Sequence, residues 1–445
     1  MTKQEIISLI KREVIPAMGC TEPMAVSLCT AYAAEQLGVV PEHVNVMLSA
    51  NILKNAMGVG IPGTGMVGLP IAVALGALIG KSEYQLEVLR DVTPDDVKRG
   101  KAFIDEGRIH ISLKENVEAV MGYDEKLYIE VECSAQGKTA TAIIAKEHTH
   151  RVDVSQLKAA AHSGSNTVNG NHDAGNLTSH CSDAMPGRNS DCDLTLRQVY
   201  DFAMLTPLDE LEFINEARRL NEQAASEALK GNYGHCLGKT LSRPLGRGIM
   251  GDSIFSHILS KTSAACDARM AGAKIPVMSN SGSGNQGIAA TLPVVVFAEE
   301  NHNTEEELVR ALILSHLTAI YIKQSLGRLS ALCGCVVAST GSSCGITYLM
   351  GGGYDQVAYS VKNMIANLAG MVCDGAKPSC ALKVTSGVST AILSAMLAVQ
   401  NNYVTSVEGL IEDDVDRCIR NLTHLGADGM VETDRMVLEI MTHKQ

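Results

Sequence analysis

The chain's 445 residues allow two or three domains with ample core, and the composition, 46% apolar and 19% charged, is that of an ordinary soluble globular protein. A formal charge of −12, with no basic run and no aromatic-interleaved basic face, argues against nucleic acid as a partner. The longest apolar run, residues 66–80, is too short for a membrane span and contains a Pro, and the acidic residues in "MTKQEIISLIKREVI" are unlike a signal or transit peptide.

The spacing of Ile6, Ile7, Leu9, Ile10 and Val14 predicts a helix over 3–16. "PAMGCTEP" interrupts it, and a second helix follows from Met24 to Leu37. "HVNVMLSANI" (43–52) alternates as a strand, and a Gly-rich loop, 56–68, leads into an apolar helix over 69–80. "RIHISL", "KLYIEVECSA" and "KTATAIIAKEHTH" read as strands, the last two a hairpin across "QG". Residues 1–160 are therefore expected to form an α+β domain. The polar stretch 161–194 reads as a linker or loop and marks the domain boundary. Beyond it, helices are predicted at 195–204, 207–230, 253–272, 304–326, 329–350, 355–371 and 383–399, giving a mostly α-helical domain over 195–445.

Thirteen cysteines without a targeting signal point to the reducing cytoplasm, where thiols stay free, catalyse or bind metal. Two G-x-G-x-x-G matches, at Gly58, Gly60, Gly63 and at Gly282, Gly284, Gly287, lack the direct strand–helix context of a dinucleotide site, so no NAD is expected. In the second, "IAATLP" is too short for a crossover helix before "VVVFAEE". The small polar run Ser279, Asn280, Ser281, Gly282, Ser283, Asn285 suits a substrate carboxylate, against the plain alternative of a structural loop. In "GCTEP", Thr21 can cap a helix and Pro23 suits its first turn, which leaves Cys20 just outside the N-terminus. The helix field there lowers a thiol pKa and favours a base or nucleophile, whereas the simpler reading is a small buried residue. His162, His172, His180, Cys181 and Cys192 have ligand chemistry but match no compact metal spacing.

Five cysteines fall within 48 residues, counted inclusively from 333 to 380: Cys333, Cys335, Cys344, Cys373 and Cys380. Thiolates without imidazoles favour iron–sulfur ligation over zinc, and Gly375 and Pro378 open the loop between Cys373 and Cys380. Three cysteine ligands leave one iron open as a Lewis acid, which implies catalysis rather than electron transfer. Free buried thiols are the alternative.

These segments resemble, in order, those of the iron–sulfur L-cysteine desulfidases (the UPF0597 type), which are related to the bacterial iron–sulfur L-serine dehydratases. "GCTEPMAV", "NILKNAMGVGIPGTG", "IPVMSNSGSGNQGIAATLPVV" and "CDGAKPSC" carry the likeness, which spans Cys20 to Cys380. The resemblance implies a [4Fe–4S] cluster held by Cys373, Cys380 and one thiol of "CGC". Cys335, which follows a Gly, is favoured there, with Cys333 as the alternative. It implies Cys20 as proton acceptor, where the dehydratases carry Ser-His-Thr, and this departure favours cysteine over serine as substrate. Substrate contacts are expected from Thr21, Glu22, Asn51, Lys54, Thr64, the 279–285 loop and Lys383, the last also a charge partner of the cluster.

The expected function is pyridoxal-phosphate-independent β-elimination of L-cysteine to pyruvate, ammonia and hydrogen sulfide. L-Serine dehydratase is the same-chemistry alternative, and a non-catalytic iron–sulfur or thiol sensor the alternative of another class. A small amino acid is the expected partner, with no membrane, and the helix-rich second half could supply a homo-oligomer contact.

Overall fold

Thr2 starts α1 (Lys3–Glu13) with a reciprocal cap, its hydroxyl accepting from the Glu5 N–H and the Glu5 carboxylate from the Thr2 N–H. The structure, a computed structural model, describes residues 1–115, 117, 127–152, 194–327 and 330–444. After α1 come β1 (Pro16–Met18), α2 (Thr21–Leu37), β2 (His43–Leu48), α3 (Ala50–Ala56), α4 (Leu69–Ile79), α5 (Pro94–Asp105), β3 (Ile109–Leu113), β4 (Tyr128–Ala135), β5 (Lys138–Ala145) and β6 (Arg151–Val152). Strands two to six form one sheet in the order β3-β2-β4-β5-β6, in which only the β2–β3 pair is parallel. Alternate residues Val44, Val46 and Leu48 of β2 and Ile129, Val131 and Cys133 of β4 are buried and share a core with α2 and α4. The hairpin predicted across Gln136-Gly137 is present, with both residues at positive φ as a tight hairpin turn requires.

The second half runs α6 (Leu196–Leu205), α7 (Asn215–Lys230), α8 (Leu237–Ser242), α9 (Pro244–Met250), α10 (Ile254–Met270), β7 (Pro276–Met278), α11 (Gly284–Glu300), α12 (Glu305–Leu326), α13 (Gly334–Leu349), α14 (Tyr354–Leu368), α15 (Cys380–Val399), α16 (Val415–His424) and α17 (Val431–Thr442). Mixed α/β structure with a helical C-terminal region is thus the observed class. Helices α10 to α15 build the larger core, and Ile6, Ile7, Leu9 and Ile10 of α1 join it, so the first turns of the chain pack with the helical half. Strand β1 pairs antiparallel with β7, Pro16 opposite Met278. Leu438 of α17 conversely enters the core around the sheet. The stretch 161–194 lies, but for Leu194, outside the described residues, as do His162, His172, His180, Cys181 and Cys192.

Four sequence expectations need correction. The strand expected over 43–52 stops at Leu48, because Ser49 takes the N-cap position of α3. The helix expected over 207–230 is broken into two short 3-10 turns before α7, with Pro207 at its start. Helix α2 starts three residues early, at Thr21, so Cys20 itself holds the N-cap position and makes no side-chain cap bond. The largest difference is α11. "IAATLP" and "VVVFAEE" are one continuous helix with Pro293 inside it, and the helix follows β7 directly through the second glycine motif. Pro293 is tolerated where the turn is buried and cross-linked, Ser315 Oγ donating to the Ala290 carbonyl at 2.7 Å. The strand before that motif pairs with β1 alone among the described residues, so no parallel β-α-β unit is built there.

Helix α15 is long and apolar enough to cross a membrane by length and composition. Half of that span is buried in the helical core, and its other face presents Leu382, Leu393, Met396 and Leu397.

The last helix is tied to the first half by Lys54 of α3, which is fully buried and ion-paired with Asp434 of α17. Removing one partner of a buried pair strands the other charge, at a cost of about 3–5 kcal/mol. Asp434→Ala is therefore expected to lower unfolding free energy in denaturant by about that amount. Lys54→Met combined with Asp434→Leu should lose distinctly less.

Candidate active site

A cavity of about 130 Å³ lies where the start of α2, the end of α10, the N-termini of α11 and α13, and the loop into α15 converge. Its walls carry Cys20 and Glu22 from the start of α2, Arg269, the turn Gly282, Ser283, Asn285, and the thiols Cys333, Cys335, Cys373 and Cys380. Asn55, Gln286, Lys323, Ser330 and Lys383 add further polar groups to its lining.

The thiol wall is set by backbone pairing. Leu332 and Val372 form an antiparallel bridge, with Cys333 N–H donating to Met371 O at 2.9 Å and Cys373 N–H to Ala331 O at 2.6 Å. This places Cys333 beside Cys373. Three of these thiols hold their protons more tightly than usual: Cys333 and Cys373 chiefly through their contacts with neighbouring thiols, Cys380 chiefly through burial. Cys335, also on the wall, has its Sγ 3.2 Å from Met371 Sδ and 3.4 Å from the Lys383 carbonyl, with Cys333 Sγ 3.4 Å away. Gly375 lets the 373–380 loop lie flat on α3, since a Cβ there would stand 2.1 Å from the Lys54 carbonyl. Asp374 ties the loop to α15: burial pushes its carboxyl up, but hydrogen bonds from Lys377 and Lys383 outweigh this and hold it at about 2. Lys383 also donates to Val372 O at 2.7 Å.

Among the described residues, no three His, Cys, Asp or Glu side chains close on one point as a single metal ion needs. The thiols rim a void instead, and all-sulfur donors around a space wider than one ion fit an iron–sulfur cluster. Cys333, Cys373 and Cys380 are the set this geometry favours, because Cys335 is turned toward Met371. Cluster binding there would displace the thiol protons.

Cys20 reverses one expectation. The helix field was expected to lower its pKa, yet burial first, and the charge of Glu22 second, push the thiol well above its ordinary range, with Arg269 pulling the other way. Its Sγ donates to Glu22 Oε2 at 2.9 Å, and the Thr21 hydroxyl donates to the same oxygen at 3.2 Å. In the resting site Cys20 is a protonated thiol on a carboxylate.

The turn before α11 divides. Gly282, Ser283 and Asn285 face the cavity, Ser283 capping the helix by accepting from the Gln286 N–H. Ser279, Asn280 and Ser281 do not line it. Ser279 Oγ donates to Ile15 O at 2.6 Å, and Ser281 Oγ donates to Asn280 Oδ1 at 2.8 Å. Asn280 is buried and donates to His316 through Nδ2, 3.1 Å from both the ring Nδ1 and the backbone carbonyl. His316 Nε2 in turn meets Thr291 Oγ1 at 3.0 Å, while that hydroxyl donates to Gly287 O. These partners assign the ring proton to Nε2.

The remaining predicted contacts also lie off the cavity wall. Thr21 faces Glu22, and Thr64 closes its own turn by donating to Ile61 O at 2.8 Å. Lys54 lies behind the 373–380 loop, paired with Asp434 but near enough for its charge to act on Cys373. Asn51 is replaced on the wall by Asn55 of the same short helix. Sequence reasoning missed Arg269, Lys323 and His316. The only signal was a charged or imidazole side chain within a run of small or apolar residues, as in "AACDARMAG" and "LILSHLTAI". It also passed over Cys266, buried one turn before Arg269 and raised by burial and by the neighbouring Cys380.

Comparison with known proteins fits this arrangement. The family described as serine dehydratase alpha chain matches residues 83–439. The chain belongs to that family. A UPF0597 protein of Bacteroides thetaiotaomicron is 66% identical over 442 residues, covering 99% of this chain and 98% of its own. One of Phocaeicola vulgatus is 64% identical over 444 residues, covering 100% and 98%. One of Oleidesulfovibrio alaskensis is 45% identical over 441 residues, covering 99% and 98%. The family match takes in the α11 turn and the thiol wall but begins after Cys20, whereas the relatives span both.

His316 gives a pH test of the turn behind the site. Burial holds its pKa at about 3, against 6.5 for a free imidazole. The unfolded chain therefore takes up a proton that the folded chain refuses. Its contribution is full above pH 6.5 and is lost as pH falls from there toward 3, by about 1.4 kcal/mol per pH unit. Denaturant midpoints from pH 7 to 5 should fall more steeply for the wild type than for His316→Gln, which should be less stable at pH 7.

Proposed function

We propose that this chain is a β-eliminating lyase acting on L-cysteine, dependent on a [4Fe–4S] cluster held by Cys333, Cys373 and Cys380. The observation that carries the reading is the convergence of those thiols, of Cys20 and of a helix N-terminus suited to an anion on one cavity. Three thiols for a four-iron cluster would leave one iron open, and that iron would draw electron density from the substrate's leaving group.

The chain's own residues account for the rest. Ser283, Asn285 and the first N–H groups of α11 orient the substrate carboxylate. Cys20, once it has lost its proton, takes the α-proton onto Sγ. The C–H electron pair becomes the Cα=Cβ bond, and the Cβ–S bond breaks with both electrons leaving on sulfur as hydrosulfide. The aminoacrylate released tautomerises to the imine and takes up water to give pyruvate and ammonia. Lys383 and Asp374 fix the cluster loop against α15 rather than touching substrate. A thiol at position 20, where the serine dehydratases resemble one another in Ser-His-Thr, favours cysteine over serine.

Anaerobically reconstituted protein should release sulfide and pyruvate in equal amounts from L-cysteine, and much less pyruvate from L-serine. Pyruvate from serine alone would move the reading to serine dehydratase. Cys333→Ser and Cys373→Ser should each lose cluster iron and the brown absorbance, while Cys335→Ser keeps both; the reverse pattern would return the third ligand to Cys335. Cys20→Ala should keep its iron and lose about 10²–10⁴-fold in turnover. Undiminished turnover would reject Cys20 as the base.

A further inference from the structure

The guanidinium of Arg269 is a buried charge on the cavity wall. It sits near the end of α10, 4% exposed, and forms no ion pair with any described residue. Its Nη1 donates to Asn285 Oδ1 at 3.2 Å, and its buried Nε has no hydrogen-bond partner. A buried cation without a counter-charge is costly, and one with an idle donor more so. The structure nevertheless makes room for it. A Cβ at Gly284 would lie 2.2 Å from Arg269 Nε, so the first residue of α11 must be glycine for the guanidinium to sit there. Arg269 and the N-terminus of this 17-residue helix therefore face the same cavity with the same sign. A planar fork with a free N–H beside a helix N-terminus is the chemistry that recognises a carboxylate.

Glu22 lines the same cavity with the opposite sign. Among the described residues its side chain accepts from the Cys20 thiol and the Thr21 hydroxyl alone, both on one oxygen, Oε2. Cys20 lies close enough to both charged groups for each to act on it.

We propose that Arg269 and Glu22 form a two-ended clamp for the charged groups of an α-amino acid, Arg269 on the carboxylate and Glu22 on the ammonium, with Cys20 between them at the α-carbon. The clamp deepens the lyase reading and rests on it for the identity of the reacting bond. It also gives Glu22 a second effect. An ammonium docked on Glu22 neutralises the charge that disfavours a Cys20 thiolate and competes for the oxygen the thiol now uses, so the thiol proton passes to solvent as substrate arrives. Site occupancy and base formation are then one event, and the empty enzyme keeps its thiol protonated. A ligand lacking either charged group binds only weakly.

The probe is L-alanine, which carries both charged groups and has no β-leaving group, titrated calorimetrically into the reconstituted full chain. Propionate, which lacks the ammonium, and ethylamine, which lacks the carboxylate, are titrated beside it. Wild type should bind L-alanine at least tenfold more tightly than either fragment. Arg269→Gln should weaken L-alanine by about a hundredfold while leaving ethylamine unchanged. Arg269→Lys should recover part of that loss, which a misfolded site would not. Glu22→Gln should bring L-alanine down to the affinity of propionate. Unchanged L-alanine binding in Arg269→Gln, or equal losses for L-alanine and ethylamine, would overturn the clamp. Because alanine is not turned over, intact clamp behaviour without sulfide release from cysteine would sink the lyase reading and leave the clamp standing. Sulfide release with unaltered alanine binding in both variants would do the opposite.

Discussion

Three residue pairs between β1 and β7 hold the candidate site together. Pro16, Ala17 and Met18 run antiparallel to Pro276, Val277 and Met278, and the chain leaves these strands in opposite directions. Two residues beyond β1 it reaches Cys20 at the head of α2. Six residues beyond β7 it reaches Gly284 at the head of α11. One short ribbon thus brings two helix N-termini, more than 260 residues apart in sequence, to the same cavity. α1 packs into the helical core and anchors the near side of the ribbon, and Ser279 secures the far side by donating to the Ile15 carbonyl.

What could be read from sequence and what could not follows from the range of each interaction. The Gln136-Gly137 hairpin, the alternation of β2 and β4, and the loop around Gly375 are local, and local pattern located them. The cysteines near the C-terminus were visible because soft ligands clustered without histidine are rare. Arg269 was not visible. Its role depends on a glycine fifteen residues on and on Cys20 at the far end of the chain, and within its own helix it is one basic residue among small ones. Pro293 misled for a related reason. Proline in a run of β-branched residues signals a strand or a break, and only the buried neighbours of α11 show why a helix continues through it.

Cys20 is the case where a correct position gave the wrong sign. The residue does sit at a helix N-terminus, as the Thr-Glu-Pro pattern indicates. The helix field there is worth a fraction of a kcal/mol to about 2 kcal/mol, whereas full burial of a thiolate costs more, and Glu22 adds a like charge. The neighbour of Cys373 is likewise set at long range: the Leu332–Val372 bridge presents Cys333 to it.

The pairing of Lys54 with Asp434 spans 380 positions, and this sets an order on synthesis. Chains emerge from the ribosome N-terminus first, and early domains fold before later ones exist. The sheet and α3 can be complete while the carboxylate that neutralises Lys54 is still unmade. Until Asp434 is made, burying that ammonium beneath the loop that carries Cys373 and Cys380 would leave its charge unpaired, at a cost in free energy.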